Sequence, residues 1–289
     1  MPTIRSIQPN ISFADAAFDP AQSGKFCLVA EIGLKGMSIA VLDNISNTFL
    51  AFESYEFRKV NSEKELAEKV GRIIGEHEWL TNGFKRTDVM MVTERFTLVP
   101  SAFFESDKAK EFLGFNHPLT DADEISSDQL RNADTRLLYA NEKELMRQVR
   151  KLSQARIHHH LSSLIERTLS VNKAKTGRRA LVHVQRERFD LVISEGGKLI
   201  LANTFQYQTS EDLIYYLLFS CEQLKMNPDQ MEVDVVGEIA ADSSVVMLIR
   251  KYVRNVSLGA SPVDAKFAKG FEQFPSHYHY ALFSLHYFS

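Results

Sequence analysis

Three histidines stand side by side at His158-His159-His160, and histidine is a common zinc ligand. Adjacent residues on a strand or at a helix start point in different directions, so the three cannot share one ion, and no metal is expected. Asp121, Asp123 and Asp128 lie in an acidic stretch, but it lacks the glycine and terminal glutamate of a calcium-binding helix–loop–helix. A solvated acidic loop is the expectation there. Arg178, Arg179, Arg186 and Arg188 fall on one hairpin and read as a basic cluster that could meet an anion, an acidic partner or RNA. The serines, histidines and aspartates are too scattered to assign a nucleophilic triad.

These residues must be positioned by a chain of 289 residues, a length that suits one large domain or two modest ones at roughly 100–200 residues each. With 44% hydrophobic and 25% charged residues it is an ordinary globular chain, and 13 Gly with 8 Pro excludes a collagen-like or low-complexity one. The formal net charge of −3 gives no bulk attraction to nucleic acid, so no nucleic-acid partner is expected. No signal peptide and no apolar run of the roughly 18 residues needed to span a membrane are seen. Cys27 and Cys221 each sit in an apolar run. They read as core thiols of a reducing compartment, with the cytoplasm as the expected location.

Residues 1–25 read as an irregular N-terminal arm. Phe26–Gly33 is a near-continuous apolar run, as in a strand buried on both faces. Strands from Met37 and from Thr48 complete a meander. Ser62 with Glu65 opens a capped helix, and residues 88–93 form a buried strand. Residues 115–133 read as a polar loop or insertion. A strand at Thr135–Ala140, a capped helix from Asn141 and a further helix through Leu169 follow. From Arg179 the order returns: three strands, a helix capped by Thr209 and Asp212, a buried strand ending at Gly237, and a helix from Ser243. Matching elements begin at 26 and 179, at 62 and 209, and at 88 and 231, offsets of 153, 147 and 143. That steady register implies an internal duplication, with a first lobe over 26–176, a second over 177–289, and a cleft between them. The tail from Phe274 to Ser289 is aromatic, and packing against the core is expected of it.

The repeated order resembles the duplicated ribonuclease-H-like fold of the actin-like ATPase superfamily. More closely, the chain is similar to an uncharacterised bacterial family with that fold, through Phe26–Gly33, Phe96-Thr97-Leu98-Val99-Pro100, Arg156-Ile157-His158-His159-His160 and Asp190-Leu191-Val192-Ile193. The resemblance implies an α/β architecture of two mixed sheets flanked by helices. It also implies a nucleotide held between two hairpin turns, each with a strand-ending Asp followed by glycines. Glu31, Gly33, Lys35 and Gly36 stand in the first turn. Val184-Gln185-Arg186-Glu187-Arg188-Phe189 stands in the second, which has neither Asp nor Gly. Gly237 and Glu238 take the place of the adenosine loop's glycine pair. One degenerate corner of two removes several kcal/mol of phosphate stabilisation. The expectation is therefore a non-catalytic interaction or scaffold protein, as PilM-like relatives are, with a protein partner and no cofactor. An ATP–Mg²⁺-binding enzyme is the alternative.

Overall fold

The lead-in is not irregular throughout. In the computed structural model, which describes residues 6–259, 265–273, 275 and 277–288, residues Ile11–Ala14 form a strand, β1. The meander follows as β2 (Phe26–Gly33), β3 (Gly36–Asp43) and β4 (Thr48–Glu56), with β1 laid antiparallel on the outer edge of β4. Helix α1 (Glu63–Glu76) starts where the Ser62 hydroxyl accepts from the Glu65 amide at 3.2 Å. It buries Leu66, Val70, Ile73 and Ile74 and returns the chain to β5 (Arg86–Val92), parallel to β2.

An insertion then interrupts the lobe. It comprises β6 (Phe96–Pro100), α2 (Ala109–Gly114), β7 (Asp123–Leu130), β8 (Thr135–Glu142) and α3 (Lys143–Val149), with the strands in the order β6-β8-β7. The acidic stretch expected as a loop thus contains a strand. Its carboxylates have partners: Asp123 takes Arg95 at 2.6 Å, Glu124 takes Arg150, and Asp128 takes His158 and Ser162. Paired acids let a polar sequence hold a ladder that apolar alternation would not reveal. After the insertion, β9 (Ala155–His159) joins β5 in parallel and leads into α4 (His160–Asn172).

The second lobe runs β10 (Arg178–Val184), β11 (Arg188–Glu195), β12 (Lys198–Gln206), α5 (Ser210–Gln223), β13 (Glu232–Gly237), α6 (Ser244–Tyr252) and β14 (Asn255–Leu258). Its sheet order, β12-β11-β10-β13-β14, repeats the path β4-β3-β2-β5-β9 of the first lobe, with the same parallel and antiparallel pairs. The duplication expected from the offsets is therefore present in the topology. Thr209 and Asp212 cap α5 reciprocally, as the sequence indicated.

The lobes exchange helices. α4, from the first lobe, packs on β11 and β12. After β15 (Lys266–Phe267) pairs with β4, α7 (Tyr280–Phe288) packs on α4, β2 and β5. The described part of the aromatic tail is thus core: the Phe283 ring lies 4.8 Å from Phe49 and 5.1 Å from Phe267. Phe274, Ser276 and Ser289 lie outside the described residues. Cys27 and Cys221 are free, buried and in separate cores, so no disulfide joins them. Phe283→Ala removes a fully buried ring shared by both lobes and should cost about 3–5 kcal/mol in chemical denaturation. A loss under 1 kcal/mol would mean that the tail does not pack this way.

Candidate functional site

Two equivalent rows of polar residues cross the sheets where the lobes meet. The first hairpin closes at the Gly33–Gly36 pair, and the second where the Gln185 amide donates to Arg188 O at 2.9 Å. Two residues before these closures lie Glu31 and His183. Glu31 pairs across the ladder with Ser38, and Ser38 with Ser54; His183 pairs with Asp190, and Asp190 with Thr204. The duplicated position expected to carry an Asp in each lobe is therefore Glu31 in one and His183 in the other.

The second row is hydrogen-bonded around a buried Asp190. Both Asp190 oxygens are buried: Oδ1 accepts from His160 Nε2 at 3.0 Å and Thr204 Oγ1 at 2.7 Å, and Oδ2 from His183 Nδ1 at 2.9 Å. Burial acts to raise this carboxyl. The two imidazoles and the Arg188 guanidinium outweigh it and hold Asp190 well below the usual carboxylate range. Burial lowers the His160 pKa, which keeps that ring a neutral Nε2–H donor with a bare Nδ1. His160 comes from α4 and Asp190 from β11, so one carboxylate ties the two lobes. The sequence showed a single carboxylate in an apolar strand at Asp190, the sign of a buried paired acid, but not which imidazoles it would meet.

The three histidines go three ways. His158 Nδ1 meets Asp128 at 3.1 Å. His159 Nε2 donates to Thr93 O at 2.9 Å while its Nδ1 accepts from the Leu161 amide. With both ring nitrogens so used and the ring fully buried, His159 is neutral, its pKa pushed well below the ordinary value. Among the described residues, no group of three His, Cys, Asp or Glu is placed to hold a metal.

The first row opens into the inter-lobe cleft, a space of about 1400 Å³. Glu31, Gly33, Lys35, Gly36 and Glu238 line it; Gly237 sits behind. The Glu31 carboxyl has no hydrogen-bond partner among the described residues. It is raised to about 7, first by desolvation and then by Glu238 and Asp190, with His183 and Arg188 opposing. Gly36 stands against Tyr55 O with no room for a Cβ, so strand packing already requires its glycine. Gly237, at φ +99°, crowds Val184 O. Its amide donates to His277 O at 2.9 Å, and the Glu238 amide to Val184 O at 2.9 Å. These two amides are therefore committed to the chain itself. Tyr278 and His279, from the turn before α7, line the cleft beside them.

The arginines expected as one cluster separate into two pairs at opposite ends of β10. Seven residues of extended chain at roughly 3.3 Å each set Arg179 and Arg186 about 23 Å apart. Arg178 meets Glu195 at 3.3 Å and Arg179 meets Glu232. Arg186 reaches Glu56 across the cleft, and Lys35 reaches Glu187 at 2.5 Å. Both cross-lobe pairs are largely exposed, worth about 0–1 kcal/mol each. Arg188 Nε donates to Gln185 at 2.7 Å. Charge decides what the cleft can hold: seven carboxylates (Glu31, Glu56, Glu63, Glu94, Glu187, Asp212, Glu238) face four cations (Lys35, Arg95, Arg186, Arg188).

Residues 15–256 match the family model described as "Protein of unknown function (DUF3822)". The chain belongs to the DUF3822 family. No curated protein sequence matches this family member significantly. Among solved structures it is similar to a Bacteroides thetaiotaomicron protein with actin-like ATPase fold and unknown function. The identity is 22% and the TM-score 0.75, over 83% of this chain and 93% of that one. It is also similar to a chain of the PilM–PilN type IV pilus biogenesis complex. There the identity is 12% and the TM-score 0.57, over 91% of this chain and 98% of that one. The DUF3822 member thus has the actin-like ATPase fold, two mixed sheets flanked by helices.

Glu31 makes the site sensitive to pH. Its folded pKa of about 7 exceeds the unfolded value, so the folded state binds the extra proton and stability falls as pH rises from about 4.5 to 7. Glu31→Gln should therefore raise the urea midpoint at pH 8 and leave it nearly unchanged at pH 4.5. An equal shift at both values would show that Glu31 is not desolvated.

Proposed function

We propose that the protein is a non-catalytic interaction protein of the cytoplasm, built on a nucleotide-binding architecture whose site is no longer suited to nucleotide. The observation that carries this reading is the sign of the cleft: once the pairs Lys35–Glu187, Arg95–Glu63 and Arg186–Glu56 are set aside, Glu94, Asp212, Glu238 and a partly protonated Glu31 face Arg188 alone among the lining residues. A nucleoside triphosphate needs its phosphate charge neutralised, and this lining adds to it instead. Of the four cations, Lys35, Arg95 and Arg186 are already paired with glutamates, and the amides of Gly237 and Glu238 are taken by backbone oxygens. The free, buried thiols fit a reducing compartment. In the PilM–PilN complex a chain of the same fold works as one member of a protein assembly, which is a precedent at the level of fold alone.

The second reading, an ATPase or small-molecule kinase with atypical loops, draws on the volume of the cleft and on Gly33 and Lys35 at its first turn. Calorimetry with ATP–Mg²⁺ separates the two. No binding heat is expected at micromolar nucleotide. Micromolar affinity that falls with Glu31→Ala or Lys35→Ala would overturn the interaction reading.

A further inference from the structure

The two sheets are copies, but their outer meander edges are not covered alike. β4 and β12 correspond residue by residue at an offset of 150: Ser54 and Thr204 end the two polar rows, and each ladder skips one residue, Leu50 in β4 and Ile200 in β12. On the outer edge of β4 lie β1, antiparallel along Ala51–Ser54, and β15, parallel along Thr48 and Phe49. There the amides of Asn10 and Asp15 donate to Ser54 O and Leu50 O at 2.7 and 2.8 Å. Among the described residues no strand lies beyond β12. Burial records the difference. β4 buries Phe49, Leu50, Ala51 and Phe52, whereas no residue of Lys198–Gln206 is buried, although they include Leu199, Ile200, Leu201 and Phe205. The outward amide of Thr204 takes its neighbour's Asn203 Oδ1 at 2.9 Å, where a further strand would supply a carbonyl. Exposed aromatics continue from this edge onto α5. Phe205 stacks on Tyr216 at 5.2 Å, Tyr216 meets Tyr215 at 5.4 Å, and Tyr215 stacks on Phe219 at 6.0 Å; Tyr215 and Phe219 are 61% and 46% exposed.

We propose that the β12 edge pairs antiparallel with β12 of a second copy of this chain, joining two five-stranded sheets into one. An open edge is a template for a strand. The charge along β12 selects the chain's own. At the Gln206 end stand Glu94, which accepts from Gln206 Nε2 at 2.7 Å, and Asp212, which accepts from the Gln208 and Thr209 amides. At the other end stand Lys198 and Lys173, whose Cα packs against Gly197. None of these four forms an ion pair among the described residues. A two-fold axis perpendicular to the sheet sets β12 antiparallel to its copy, so the acidic end of each strand meets the basic end of the other, twice. The first lobe supplies the register. The outward carbonyls equivalent to those of Leu50 and Ser54 are those of Ile200 and Thr204, equidistant from Ala202. The axis therefore passes through the Ala202 pair, and Ile200 of each copy lies opposite Thr204 of the other. Both α5 helices stay on one face of the joined sheet, on either side of the new strand pair.

This pairing stands whether or not the cleft takes nucleotide. Sedimentation equilibrium of the full chain without nucleotide tests it, and a concentration-dependent dimer that weakens as salt rises is expected. Ala202→Pro removes an outward amide while leaving the β11 ladder in place, and should abolish the dimer. Lys173→Glu with Lys198→Glu changes two exposed positions, leaves the circular dichroism of the fold unaltered, and should weaken the dimer about tenfold or more. A monomer through the millimolar range, or a dimer that either variant leaves unchanged, would overturn the proposal.

Discussion

A carboxylate buried at the junction of the lobes must be paired or it destabilises what surrounds it, and Asp190 meets that demand with donors from both halves. His183 and Thr204 come from its own sheet; His160 comes from the helix that the first lobe sends across. Removing one partner of such a group costs about 3–5 kcal/mol, several times the worth of the exposed Lys35–Glu187 and Arg186–Glu56 pairs. Asp190 thus ties the lobes more strongly than the exposed cross-lobe salt links do.

The helix exchange has the same consequence at larger scale. α4 covers the second sheet and α7 the first, so neither sheet has a complete core without chain from the other half. Burial of Phe283 and Leu285 among Phe49, Phe267 and Phe271 makes the C-terminal aromatic segment part of the first lobe's interior. The two lobes are bound together by apolar packing and by the hydrogen bonds on Asp190.

Much of the fold could be read from the sequence because the duplication preserved local signals: the apolar strand at residues 26–33, the capped helices at Ser62 and Thr209, and constant offsets. The strand β7 escaped because its carboxylates are paired across space with Arg95, Arg150 and His158, contacts that no periodicity records. The site was only half legible. Glu31, Lys35, Gly33 and Glu238 do meet at the cleft, but the position in the second lobe that corresponds to Glu31 is His183, inside strand β10 and ahead of the turn, and a histidine there carries no sign of the carboxylate pattern. The four arginines are close in sequence, but Arg178 and Arg179 start β10 while Arg186 and Arg188 sit at the turn beyond its far end, so the length of the strand holds the two pairs apart. Tyr215 and Phe219 were invisible as surface, since aromatic residues in an apolar helix read as core until the neighbouring elements are known.

The coupling of the lobes through Asp190 can be measured with the protein's one tryptophan, because Trp79 packs against Phe18 and Phe84 in the first lobe, far along the chain from Asp190. Trp79 fluorescence and far-UV circular dichroism should report one coincident unfolding transition in the natural chain, and Asp190→Asn should move both to lower denaturant together. A variant in which the dichroism transition shifts while the Trp79 transition stays in place would show that the lobes stand independently, and the account of a locked two-lobe platform would be wrong.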